Sequence, residues 1–218
     1  MSIRRSSQLF ALVVILLCGG CGAPIPEVIS EAEHTLLGPN RQVHSVSFSR
    51  DGRLVVCSGR GIRVWEPGMG FDGISHLGDR KPVYSVSCSV GDPLMASAGG
   101  DGVVMLWDLR TEAEGLCLSG HRGWIHDVAF SPDGRLVASA GYDGTVKLWD
   151  TASGTERTTL SGHCKAARCV VFSPDGTRLA SGGSDRTVVI WDLAKTEPAL
   201  TLDGYDDGIS SLAYSPDG

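Results

Sequence analysis

The 218-residue sequence has no surplus of positive charge: 19 Lys and Arg stand against 25 Asp and Glu, a formal net charge of −6. That balance gives no general reason to expect nucleic-acid binding. No apolar stretch is long enough to cross a bilayer, which takes ~20 residues; the longest covers only residues 9–18. Stretches that favour helix are few. Cysteine is present at 7 positions, but beyond Cys21 no two stand in a CxxC spacing. Five cysteines therefore remain, an odd number without a framework pattern, and they are read as small strand hydrophobes. With 42% hydrophobic and 20% charged residues, the composition is globular rather than disordered. Glycine is plentiful at 29 residues, which suits a fold with many tight turns.

Arg4, Arg5, the apolar run at 9–18 and the small residues Gly19 and Gly20 are the parts of a secretory signal over residues 1–20. Gly19-Gly20-Cys21 resembles the bacterial lipoprotein cleavage box, in which the cysteine is diacylated and becomes the new N-terminus; Cys18 stands where that box usually has Leu. The resemblance implies lipidation at Cys21 and an exported, membrane-anchored protein facing the periplasm or the cell exterior, with soluble secretion as the alternative. Residues 21–33, with two prolines and three glutamates, read as a tether.

Beyond the tether the chain becomes periodic. Trp65, Trp107, Trp149 and Trp191 are each 42 residues apart and each precedes an acid: Glu66, Asp108, Asp150, Asp192. A second marker keeps the same beat, with Phe130-Ser-Pro-Asp-Gly recurring at Phe172 and Tyr214. This period suits a propeller blade of four strands. In the third copy, residues 125–130, 136–140, 145–149 and 157–160 are predicted strands. Ser131-Pro132-Asp133-Gly134 suits a type I turn, and Tyr142-Asp143-Gly144 suits a tight hairpin. Alternation along the third strand puts Val146 and Leu148 on one face, Lys147 and Trp149 on the other.

Gly120-His121, Gly162-His163, Asp143, Asp185 and the Trp-acid pairs resemble the WD-repeat family. The resemblance covers residues ~34–218, as repeats over 34–66, 74–108, 116–150, 158–192 and an incomplete 200–218. It implies an all-β propeller of four-stranded antiparallel blades, here a partial ring of about four blades plus one strand. The first copy departs by a shorter hairpin without Asp, the second by Gly78-Asp79, the fifth by Gly204-Tyr205. Residues 34–37 stand where the family takes an outer strand to complete its last blade. The chain stops inside the turn of the fifth copy, so a longer parent is expected.

Several constellations look like chemistry. His121, Ser139 and Asp143 could suggest a hydrolase triad, but His163, Ser181 and Asp185 reproduce it 42 residues on, as an enzyme has no need to do. The resemblance instead places His121, Ser139, Asp143 and Trp149, and likewise His163, Ser181, Asp185 and Trp191, in hydrogen-bonded structural tetrads. Ser97, Asp101, Trp107 and Trp65 belong to partial ones. Gly68-Met-Gly-Phe-Asp-Gly73 spells GxGxxG but leads into a strand-like stretch, the wrong context for a dinucleotide. His163-Cys164 with Cys169 is not a metal-ligand spacing. No catalytic residue, metal or cofactor is expected.

Strands run up and down, so the hairpin between second and third strands shares a side with the loop leading into each sheet. That side carries Trp124, Tyr142, Arg122, Lys165 and Arg186. Its lead-in loops are basic at Arg41, Arg80-Lys81, Arg122 and Lys165, then acidic at Asp206-Asp207. The expectation is a protein-interaction scaffold binding an acidic segment with Trp124 as anchor, without nucleic acid, and touching membrane only through the lipid. One alternative is the regulatory or targeting propeller of an enzyme whose catalytic part lies beyond residue 218. The other is a small ligand in the central channel, near His44, Tyr84 and His126.

Overall fold

The structure, a computed structural model, describes residues 43–50, 52–58, 61–65, 77–78, 82–111 and 113–218. The expected signal, the tether with Cys21, the segment 34–37, Arg41, Arg80-Lys81 and the glycine-rich loop at 68–73 lie outside them.

The described strands form four antiparallel sheets in simple up-and-down order. β1 (Val43–Phe48), β2 (Leu54–Ser58), β3 (Gly61–Trp65) and β4 (Leu77–Gly78) make the first; β5 (Val83–Cys88), β6 (Leu94–Gly99), β7 (Val103–Asp108) and β8 (Ala113–Ser119) the second. β9 (Ile125–Phe130), β10 (Leu136–Gly141), β11 (Thr145–Asp150) and β12 (Glu156–Ser161) make the third; β13 (Ala167–Phe172), β14 (Arg178–Gly183), β15 (Val188–Asp192) and β16 (Glu197–Leu202) the fourth.

Local chemistry explains the corners. In the Ser131 turn, Gly134 N–H donates to the Ser131 carbonyl at 2.9 Å, while the Ser131 hydroxyl donates to Asp133 at 2.6 Å and accepts from Leu136 N–H at 2.9 Å. At the β10–β11 hairpin Gly144 has φ 78°, and a Cβ there would meet the Lys165 carbonyl of the next lead-in loop at 2.9 Å. Both the left-handed backbone and the close approach call for glycine.

Hydrophobic cores lie between the sheets rather than within them. Ala138, Val146, Leu148 and Leu160 of the third sheet pack with Phe172, Leu179 and Trp191 of the fourth. Ala96, Val104, Leu106 and Leu118 of the second sheet likewise meet Ile125, Val137 and Trp149 of the third. The second and third sheets thus each lend one face to the sheet before and the other to the sheet after, with ~1.5–3 kcal/mol per large side chain buried. Lys147 shares the Trp149 face and is buried too; its ammonium donates to Glu156 at 2.9 Å and Thr159 at 2.6 Å. Outer-strand leucines record the stacking. Leu118 and Leu160 are 1% and 2% exposed, but Leu202, with no sheet beyond it among the described residues, is 39% exposed.

One expectation differs. Residues 203–218 carry no regular strand, although a fifth first strand is expected there. In each of the four sheets the first strand is hydrogen-bonded to its own second strand. Among the described residues the stretch 209–214 has no such strand partner. It is held against the fourth sheet instead, with Ile209 N–H donating to the Gly183 carbonyl at 3.0 Å.

Candidate functional site

Two hydrogen-bonded chains pin the lead-in loops to the sheets. In the third sheet Trp149 Nε1–H donates to Ser139 Oγ at 2.8 Å, His121 Nε2 lies 2.8 Å from the same oxygen, and His121 Nδ1 lies 3.0 Å from Asp143 Oδ2. Asp143 accepts from the Arg122 N–H at 2.8 Å and the Thr145 hydroxyl at 2.7 Å. The fourth sheet repeats this: Trp191 to Ser181 at 2.9 Å, Ser181 to His163 at 2.8 Å, His163 to Asp185 at 3.1 Å, with Cys164 N–H on Asp185 at 2.9 Å. The second sheet holds only part of the chain, with Trp107 Nε1–H on Ser97 Oγ at 2.9 Å and Asp101 accepting from Val103 N–H at 3.1 Å. The Trp65 side chain lies outside the described residues.

The electrostatics set the wiring. Burial alone would push the Asp143 carboxyl up, but the Arg122 N–H, the Thr145 hydroxyl and the neighbouring imidazole outweigh it and hold it at about 2. Asp185 is likewise lowered against the opposing effect of burial, by the Thr187 hydroxyl, the Cys164 N–H and His163. Burial also lowers His121, against the pull of Asp143. An ionised carboxylate facing Nδ1 places the imidazole proton there, so Nε2 accepts from the Ser139 hydroxyl and the Ser139 oxygen accepts from the indole. The trio has the contacts of a nucleophile, a base and an orienting acid. It has no access to substrate, because Ser139 and the His121 side chain are both 0% exposed.

What these loops present to solvent is different in kind. Trp124 and Tyr142 are 52% and 61% exposed, their ring centroids are 6.0 Å apart, and Tyr142 N–H donates to the Trp124 carbonyl at 2.7 Å. Arg122 follows His121, Lys165 lies on the next lead-in loop against Gly144, and Arg186 occupies the fourth-sheet hairpin with φ 67°. All three are exposed.

Sequence reasoning missed the clasps between sheets. Asp127 accepts from Ser85 Oγ on the preceding sheet at 2.7 Å, from Val128 N–H at 2.9 Å and from Val170 N–H on the following sheet at 2.9 Å. Burial pushes its carboxyl up despite these three donors. The available signal was periodic: Ser45, Ser85 and Asp127 occupy the third position of successive first strands, and Ser45 Oγ likewise accepts from Val86 N–H at 3.3 Å.

Cys88 and Cys169 are buried, whereas Cys117 and Cys164 are exposed. Among the described residues no three His, Cys, Asp or Glu side chains gather as a metal site. The family model described as WD domain, G-beta repeat matches residues 30–66, 74–108, 114–150 and 154–192. No curated protein matches the sequence. With four matched repeats and four antiparallel four-stranded blades, the chain belongs to the WD domain, G-beta repeat family and is built as part of a β-propeller.

Proposed function

We propose that the chain is a protein-interaction scaffold whose partner docks on the face bearing Trp124 and Tyr142, exported and held at a membrane by a lipidated Cys21. WD repeats typically mediate protein–protein contacts. The observation that carries the choice of face is the Trp124–Tyr142 pair, exposed yet mounted on loops tied down by buried tetrads. Rigid aromatic anchors beside arginine are the usual centres of binding energy. Export and tethering rest on Arg4-Arg5, the apolar run at 9–18 and Gly19-Gly20-Cys21. Among the described residues no helix is long and apolar enough to cross a membrane.

The test is Trp124→Ala in the whole chain. Losing an interface anchor raises Kd by about tenfold or more, while the urea midpoint stays put, because the side chain is half exposed. Partners retained at full affinity would remove this face from the proposal. Cys21→Ser, followed by metabolic labelling with a fatty-acid analogue, tests the anchor: label must vanish with the cysteine.

A further inference from the structure

In each blade the pairing of first and second strands skips one residue, between Val43 and Ser45, between Val83 and Ser85, between Ile125 and Asp127, and between Ala167 and Cys169. The skipped residues are His44, Tyr84, His126 and Arg168. A β-bulge leaves its extra residue unpaired and re-aims the side chain. Three of the four are rings in sequence, His44 to Tyr84 at 5.6 Å and Tyr84 to His126 at 6.4 Å. Trp124 joins Tyr84 at 6.2 Å, and Tyr142 joins His126 at 6.4 Å. The fourth is an exposed guanidinium on the adjoining blade.

Among the described residues, cations elsewhere are taken, with Arg178 at the Ser-Pro-Asp-Gly end of the strands the exception. Arg110 pairs with Asp108 at 2.7 Å, Arg157 with Asp150 at 3.1 Å and Lys195 with Asp192 at 3.6 Å. Among the described residues the side chains of Arg122, Lys165, Arg168 and Arg186 have no hydrogen-bond or ion-pair partner. The nearby acids Asp143 and Asp185 are committed to histidine and backbone N–H groups. The less committed acids on this side are Asp101, which accepts only from Val103 N–H, and Asp206 and Asp207, apart from one bond from Gly208 N–H to Asp207. Arg186 adds a second sign. It holds φ 67° where the corresponding hairpin residues are Gly102 and Gly144, at φ 78° each. A left-handed non-glycine residue costs ~1–2 kcal/mol, and such strain clusters at functional positions.

We infer that this face selects a peptide segment in which a carboxylate side chain adjoins an aromatic or large aliphatic one, Arg168 receiving the carboxylate at the bulged centre while Trp124 and Tyr142 take the apolar neighbour. Arg122, Lys165 and Arg186 supply the positive rim that steers it. A guanidinium fork matches a carboxylate bidentately, and the ring chain from His44 to His126 gives an aromatic floor beside it. The inference rests on the platform reading above and adds the chemistry of what docks.

The experiment selects short peptides displayed on phage against the whole chain, then measures Kd for an enriched peptide and for its amide counterpart with Asn and Gln in place of Asp and Glu. Enrichment of Asp or Glu next to Phe, Trp or Leu is expected. Arg168→Gln and the amide peptide should each weaken binding about tenfold to a hundredfold, the range for a charged hydrogen bond. Arg178→Gln, a cation at the Ser-Pro-Asp-Gly end of the strands, should leave Kd unchanged. Arg186→Gly should raise the urea midpoint and still weaken binding, which separates a docking role from a folding role. Peptides without acidic bias that nevertheless need Trp124 would overturn this inference and leave the platform standing. A requirement for phosphorylated residues, or no enrichment at all, also overturns it. Binding indifferent to both Trp124 and Arg168 overturns the two together.

Discussion

Ser139→Ala strikes the third blade at the atom on which two buried groups depend. Ser139 is 0% exposed, its oxygen takes the Trp149 indole N–H at 2.8 Å, and its hydroxyl faces His121 Nε2 at 2.8 Å. Removing it strands one donor and one acceptor with no route to water, at ~1–3 kcal/mol each, so about 2–6 kcal/mol in all. The natural control is Ser97→Ala. Ser97 is equally buried, but among the described residues its oxygen serves only Trp107 Nε1–H at 2.9 Å. One group is stranded there, for about 1–3 kcal/mol. Against a total stability of ~5–15 kcal/mol, the difference is large enough to measure. Urea unfolding at pH 7, followed by tryptophan fluorescence and compared at a common slope, gives the two values directly. Ser181→Ala should match Ser139→Ala, since it removes the same pair of contacts. If Ser97→Ala proved as damaging as Ser139→Ala, the imidazole would not be a dependent of the serine and the wiring argued above would fail.

Two further outcomes follow from the same network. At Gly141 an added Cβ would lie 2.3 Å from His121 Nδ1 and 2.6 Å from Asp143 Oδ1, so Gly141→Ala should cost about 1–3 kcal/mol by forcing the pair apart; at Gly61 nothing lies within 4 Å, and Gly61→Ala should be neutral or slightly stabilising in the same unfolding assay. Acid should act in two stages. His121 is lowered from 6.5, so the unfolded chain binds its proton first; that stability is full above 6.5 and declines as pH falls towards the lowered value. Asp143, lowered from 3.8 to about 2, contributes stability above 3.8 that is lost as pH falls to about 2. Urea midpoints measured from pH 7 down to pH 2 should show both declines, with the upper one shallower in His121→Asn; an unchanged upper slope would refute the assignment.

Much of the architecture could be read from residue order. The 42-residue step of tryptophans and the repeated Ser-Pro-Asp-Gly turn fix blade length and corner positions, because each corner is made by its own four residues. The third blade's predicted strands match β9 to β12 to within a residue or so at their ends. Alternation separated Val146 and Leu148 from Lys147 and Trp149, but it could not say that both faces would be buried. That follows only once a neighbouring sheet covers each side, which is also why Lys147 needs Glu156. The fifth first strand expected from the sequence does not form among residues 203–218. Its sequence is strand-like, but a strand is a pairing and not a property of one segment.

Arg168 illustrates the remaining gap. In sequence it is one more arginine on a first strand; its significance comes from an exposed place at the same bulged register position as His44, Tyr84 and His126. Asp127 is similar, since its acceptors' value depends on Ser85 and Val170, each about one repeat away. The sequence by itself determined the repeat, the turns and the residues competent to form the tetrads, all of which rest on interactions within one copy. The tertiary structure alone decided which faces are covered, which cations are left without partners and which aromatic rings meet. Those properties belong to surfaces shared between copies, and no single copy contains them.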